Sequence, residues 1–218
     1  MVIHTISDNE GVATDLASRI IDTLPPHKTG VLLLSGGSCV PLEVLLSQKL
    51  PEMKNLHVVL VDERYGAVGH TNSNWAQLTE TNFHFEKFTS HPTLQDENDL
   101  ATTVSSNQAV LRSLLERSDY TIAILGMGKD GHTAGLLPHS QALESTDLYT
   151  DDKTEEFHRL TITPPVFKLI DYAVIYTAGE EKRRVLDKLD LGENTANQPI
   201  QLIKQCREFV IYNLIKES

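Results

Sequence analysis

Tyr120 to His132 reads YTIAILGMGKDGH, six residues of nearly unbroken apolar character that run straight into a glycine-rich turn carrying an acid and a histidine. A run this short and this continuous suits a strand buried on both faces, and such strands belong to parallel sheets covered by helices on either side. The same arrangement recurs along the chain. VLLL (Val31 to Leu34), LHVVLV (Leu56 to Val61), YAVIYT (Tyr172 to Thr177) and FVIY (Phe209 to Tyr212) repeat the apolar run, and the opening VIHTIS reads as a further edge strand. Between them apolar residues return at helical spacing: Val12, Leu16, Ile20 and Ile21, then Leu42, Leu45 and Leu46. Leu100, Val104, Val110, Leu111, Leu114 and Leu115 form a longer stripe, and Val185, Leu186 and Leu189 another. Strands alternating with helices predict an α/β fold, a Rossmann-like sandwich with a mainly parallel central sheet, helices on both faces and right-handed crossovers. Two polar stretches, Thr81 to Asp99 and Ser140 to His158, read as loops with little regular structure. No internal repeat, low-complexity tract or linker interrupts the chain, so residues 1–218 read as a single domain.

Composition narrows the function class. The 218 residues carry 19 basic and 30 acidic side chains, a formal charge of −11 with histidines neutral. A field of that sign argues against nucleic acid or an anionic membrane as partner, since both need a broad basic face. No run approaches the roughly 20 apolar residues that span a bilayer, and MVIHTISDNEGVAT lacks the basic start and apolar stretch of a signal peptide. Cys39 and Cys206 stand far apart, without metal-ligand spacing or any sign of a disulfide framework. A reducing cytoplasm is the expected location. Oligomeric state is not set by these features, and a monomer is compatible with them.

Three apolar runs are followed at once by glycine or charge clusters: SGGSC (Ser35 to Cys39), DERYG (Asp62 to Gly66) and GMGKDGH (Gly126 to His132). In open α/β sheets ligands bind beyond the carboxyl ends of strands, so the three clusters are expected to converge on one crevice. Gly36, Gly37 and Ser38 expose backbone amides where the next helix begins, near Ser38 or Pro41, which suits a phosphate; an ordinary strand-to-helix turn capped by Ser38 is the plain alternative. No lysine follows in Walker fashion. Gly126 to Gly131 matches GxGxxG after a strand, but a dinucleotide fold also needs a helix at the third glycine and a buried strand ending in an acid roughly 20 residues on. Pro138 interrupts any such helix, and LESTDLYTDDKTEE (Leu143 to Glu156) is too polar for that strand.

What remains is Asp130-Gly131-His132. An imidazole takes a proton from water or returns one to a leaving group, and a nearby carboxylate fixes its tautomer; a capping Asp130 beside a solvated His132 is the bland counterpart. Arg64 suits a phosphate, a carboxylate or a developing oxyanion, or else a surface ion pair. Asn72 or Ser73 reads as the cap of the following helix. One of Lys182, Arg183 and Arg184, beyond a fourth strand end, is a candidate phosphate partner. Cys39 reads as a small packing residue rather than an activated thiol. The nine histidines show no HExxH spacing, and G-x-S-x-G is absent, so neither a metal nor a serine nucleophile is expected.

In their order, SGGS after a strand, DER with the downstream Ser73-Asn74, GMGKDGHTAGLLP, and HRLTITPPVFKLIDYAVIYTAGEEKRRVL resemble the 6-phosphogluconolactonase family from about Val31 to Leu189. The resemblance implies the sugar-phosphate isomerase/deaminase fold. It also implies hydrolysis of 6-phospho-D-glucono-1,5-lactone to 6-phosphogluconate in the pentose phosphate pathway, without an essential cofactor. On the matching positions His132 is the implied acid/base of ring opening, Asp130 and Arg64 support it, and Gly37, Ser38 and Lys182 hold the phosphate, with Gly36 and Asp62 beside them. The chain has Cys39, Val40 and Pro41 where threonine and proline are usual, and Gly135 and Leu137 where serine and phenylalanine are usual. DER and GLLP favour the lactonase over the glucosamine-6-phosphate deaminase branch. That deaminase, and a sugar-phosphate sensor without turnover, are the competing functions.

Overall fold

The computed structural model describes residues 3–154, 157–189 and 191–215. Among these, the strands in chain order are β1 (Ile3–Ile6), β2 (Gly30–Leu34), β3 (Leu56–Leu60), β4 (Asp62–Arg64), β5 (Thr89–Ser90), β6 (Tyr120–Gly126), β7 (Tyr149–Lys153), β8 (His158–Ile162), β9 (Tyr172–Ala178) and β10 (Glu208–Leu214). The α-helices are α1 (Glu10–Thr23), α2 (Val40–Lys49), α3 (Asn74–Glu80), α4 (Leu100–Arg117), α5 (Pro164–Phe167) and α6 (Arg183–Leu189). No described helix is long and apolar enough to cross a membrane.

Seven strands form one sheet in the order β1-β10-β9-β6-β2-β3-β5, with every pairing parallel. Its middle is buried on both faces because the strand period is two: Val31 and Leu33 of β2 point into one core, Leu32 and Leu34 into the other. The first core is closed by α4, α5 and α6, the second by α1, α2 and α3. Each of these fully buried aliphatic side chains contributes about 2 kcal/mol of burial free energy, which is why the unbroken apolar run, not an alternating one, marks these strands. In α1 the stripe is narrower than its sequence suggests: Val12, Leu16 and Ile20 are buried, whereas Ile21 is 44% exposed.

The strand order places the site. From β2 the chain moves outward through β3 to the β5 edge, then returns to lay β6 against the other side of β2. The loops leaving β2 and β6 therefore part in opposite directions and open a crevice between them. Ser35 ties its two sides together, donating its hydroxyl to the Ile124 carbonyl at 2.9 Å and accepting from the Gly126 amide at 3.4 Å.

A second sheet departs from expectation. Asp62–Arg64 is a strand rather than a loop, and β4, β8 and β7 pair antiparallel in that order. Val61 is the junction: its amide still donates to Leu34 of β2, while its carbonyl accepts from Ile162 of β8, so the chain crosses from one sheet to the other at this residue. Ser140 to His158 is accordingly not irregular; it holds a 3-10 turn at Gln141–Glu144, all of β7 and the first residue of β8. Glu155 and Glu156 of that stretch lie outside the described residues. Thr81 to Asp99 has a 3-10 turn at Phe85–Lys87 and the two-residue β5, and is otherwise without regular structure.

Candidate active site

At the carboxyl ends of β2 and β6 lies a cavity of about 320 Å³. Gly36, Gly37, Ser38, Asp62, Arg64, His132 and Lys182 all line it, so the clusters that follow β2, β3, β6 and β9 do meet. Asp130 stands behind His132, outside the cavity. Its Oδ1 accepts from the His132 amide at 3.1 Å and lies 2.7 Å from the ring Nδ1. Burial works to raise the Asp130 carboxyl, but the His132 amide and imidazole outweigh it and hold it below the usual carboxylate range. An ionised Asp130 accepts only, so Nδ1 carries a proton, and in the neutral imidazole the lone pair is therefore on Nε2. The turn that presents this pair is closed by its own hydrogen bonds, Gly128 amide to His132 carbonyl at 2.9 Å and Thr133 hydroxyl to Gly126 carbonyl at 2.9 Å.

The glycine loop after β2 forms a 3-10 turn over Gly37–Cys39, and α2 starts at Val40 with Pro41 in its first turn. Ser38 makes no capping bond; it is exposed together with Gly37 at the cavity rim. Cys39 is fully buried beneath Gly126, and burial pushes its thiol well up, the opposite of an activated cysteine. Lys182 ends a 3-10 turn at Glu180–Lys182, and partial burial pulls its ammonium below the ordinary lysine value. The side chains of Arg183 and Arg184 lie outside those described.

Arg159, Asn74 and Lys129 also line the cavity, though motif and spacing did not single them out as site residues. Arg159 sits in β8 directly opposite Arg64 in β4, so both guanidinium groups stand on one face of the antiparallel pair. Neither has an ion-pair partner among the described residues, and the buried Nε of Arg159 has no hydrogen-bond partner there. Like charges placed opposite one another are unfavourable, and a bound anion would relieve that cost. Arg64 bonds instead to the Asn72 carbonyl at 3.3 Å and to Asn74 Oδ1. Ser73 caps α3 as its sequence suggests, accepting from the Ala76 amide at 3.1 Å. Gly135 donates its amide to Thr161 Oγ1 at 2.9 Å, and a side chain at this position would run into Thr161. Among the described residues no group of three or more histidine, cysteine or acidic side chains is placed to hold a metal ion.

The site thus offers an imidazole, a glycine loop in which Gly37 and Ser38 are exposed and the Gly37 amide donates to Gln77 Oε1 at 3.4 Å, and four cations (Arg64, Lys129, Arg159 and Lys182) against Asp62 in a protein of net charge −11. Known proteins resemble this chain in sequence and fold. The chain is 32% identical over 213 residues to the 6-phosphogluconolactonase of Synechocystis sp., covering 89% of this chain and 86% of that one. It is 33% identical over 168 residues to the 6-phosphogluconolactonase of Nostoc sp., covering 71% and 69%. A crystal structure of 6-phosphogluconolactonase from Thermotoga maritima has the same fold, with a TM-score of 0.83 over 97% of this chain and 98% of that one at 20% identity. The sequence profile of the family described as glucosamine-6-phosphate isomerases/6-phosphogluconolactonase matches residues 8–212, and the chain belongs to that family.

Proposed function

We propose that this chain hydrolyses 6-phospho-D-glucono-1,5-lactone to 6-phospho-D-gluconate, the lactone-opening step of the oxidative pentose phosphate pathway. The observation that carries the proposal is the Asp130–His132 pair set at the rim of a cavity walled by four cations. His132 Nε2 takes a proton from water as the water oxygen bonds to the lactone carbonyl carbon. The resulting oxyanion faces Arg64, which stabilises the charge as it develops. Collapse breaks the bond from carbonyl carbon to ring oxygen, the imidazolium returns its proton to that oxygen, and the new carboxylic acid ionises into solvent. Asp130 keeps the imidazole oriented and stabilises its transient positive charge. The phosphate is held by the amides of Gly37 and Ser38, the Gly37 amide exchanging its long 3.4 Å bond to Gln77 Oε1 for the anion, with Gly36 shaping the loop and Lys182 supplying charge; Asp62 faces the sugar hydroxyls.

Both cysteines are buried free thiols, which suits a reducing cytoplasm as the location. The assignment is tested by a coupled lactone assay read against the spontaneous opening rate. Turnover well above that blank is expected. Ammonia release from glucosamine 6-phosphate without lactone turnover would move the chain to the isomerase branch, and 6-phosphogluconate binding with neither activity would make it a sensor. Lys182→Ala is expected to weaken 6-phosphogluconate binding by roughly tenfold, the scale of one charge-assisted contact, with little change in kcat. Unchanged affinity by titration calorimetry would remove Lys182 from the phosphate site.

A further inference from the structure

Glu63 is fully buried between two cavity-lining residues, Asp62 and Arg64. Successive strand residues face opposite sides, so Glu63 points away from the cavity, into the protein. Its carboxyl is pushed up by burial and pulled back by four hydrogen bonds. Oε1 accepts from the amides of Arg64 at 2.7 Å and Asn74 at 2.8 Å; Oε2 accepts from the Ser73 hydroxyl at 2.8 Å and the Trp75 amide at 3.0 Å. Three of those donors belong to the start of α3, whose first amides no intrahelical carbonyl can satisfy. Glu63 therefore pins the beginning of α3 to β4.

That attachment fixes Asn74, which is itself buried. Asn74 Nδ2 donates to the Asp62 carbonyl at 2.8 Å, and Oδ1 accepts from Arg64 Nη1. The same oxygen lies so close to the glycine loop that a Cβ at Gly36 would overlap it. One carboxamide thus touches the strand that carries Asp62, the guanidinium of Arg64 and the anion loop. Asn74 has no freedom to choose another position while Glu63 holds its backbone.

We propose that Glu63 is a positioning residue for the reaction: through α3 and Asn74 it fixes the Arg64 guanidinium at the cavity wall, resting on the reading of Arg64 as a cation that faces the substrate. Glutamine at 63 has one accepting oxygen for four donors, and its NH2 turns against N–H or O–H groups. The start of α3 then shifts, Asn74 shifts with it, and Arg64 loses its anchor.

A double-mutant cycle separates positioning from support of the fold, with thermal midpoints followed throughout. Glu63→Gln in the otherwise unaltered protein is expected to lower kcat/KM for the lactone by about tenfold to a hundredfold, the range for a modest misplacement of a site group. In an Arg64→Ala background the same substitution is expected to change kcat/KM by less than about twofold, because the group being positioned is gone. Equal losses in both backgrounds would overturn the proposal and leave Glu63 a purely structural residue. If Glu63→Gln does not fold, Glu63→Asp, which keeps the charge but is too short to reach all four donors, takes its place in the cycle with the same expected coupling and the same overturning result. Should Arg64→Ala by itself leave kcat/KM unchanged, the reading of Arg64 fails first, and the role given to Glu63 falls with it.

Discussion

His132→Ala should lower kcat for lactone hydrolysis by about two to four orders of magnitude, the usual contribution of a general base that also serves as the acid. Both transfers pass through Nε2 in the proposed scheme, so alanine removes activation of the water and protonation of the departing ring oxygen together. The substitution trims a half-exposed ring from a turn closed by backbone bonds. Stability should therefore stay within about 1 kcal/mol of the parent. Product affinity should survive, since the amides of Gly37 and Ser38 and the ammonium of Lys182 are untouched. Lactones open unaided, so the informative quantity is the enzyme-dependent rate above the blank, measured for both proteins in one coupled assay. Turnover like that of the parent would remove His132 from the chemistry.

Gly128→Ala should be nearly as damaging although position 128 carries no reactive atom. A Cβ there would overlap the His132 ring at Nδ1 and Cε1 and stand 2.5 Å from Asp130 Oδ1. Three atoms cannot share that space. The backbone of the turn is held by the Gly128 amide and the Gly131 carbonyl bond to Ile200, so the ring is the part free to move. Moving it breaks the Nδ1 contact that sets the tautomer and aims Nε2. We expect kcat to fall by about two orders of magnitude or more, with a thermal midpoint little changed. A lowered midpoint with normal turnover in the folded fraction would show instead that the loop yields and the imidazole stays.

The parallel sheet is legible in sequence because burial on both faces leaves a simple trace, five residues of Gly30–Leu34 with no polar side chain among them. The second sheet leaves no such trace. β4 is Asp-Glu-Arg and β7 is Tyr-Thr-Asp-Asp-Lys, with Tyr149 the only fully buried residue of β7, so neither matches an apolar run or a clean alternation. Their strand character comes from pairing with β8, a long-range fact that local pattern does not carry. Arg159 was hidden for the same reason: it acquires meaning only from standing opposite Arg64. The placement of His132, Asp130 and the glycine loop was readable because strand ends are where an α/β sheet binds ligands, and the structure brings His132 and the loop to one cavity at those ends, with Asp130 behind His132. Ile21 shows the opposite failure, an apolar residue at good helical spacing that simply faces out.

Val61, where the chain passes from one sheet to the other, bears on how such a site can change over descent. The imidazole and the anion loop ride on the parallel sheet, whereas Arg64 and Arg159 ride on the antiparallel one. Substitutions in β7 or β8 can reshape the Arg159 side of the cavity without touching β2 and β6, the strands that on the proposed scheme carry the anion loop and His132. On the proposed scheme Arg64 is the member of the antiparallel half that the chemistry holds in place, while the rest of that wall is free to drift toward new sugar phosphates.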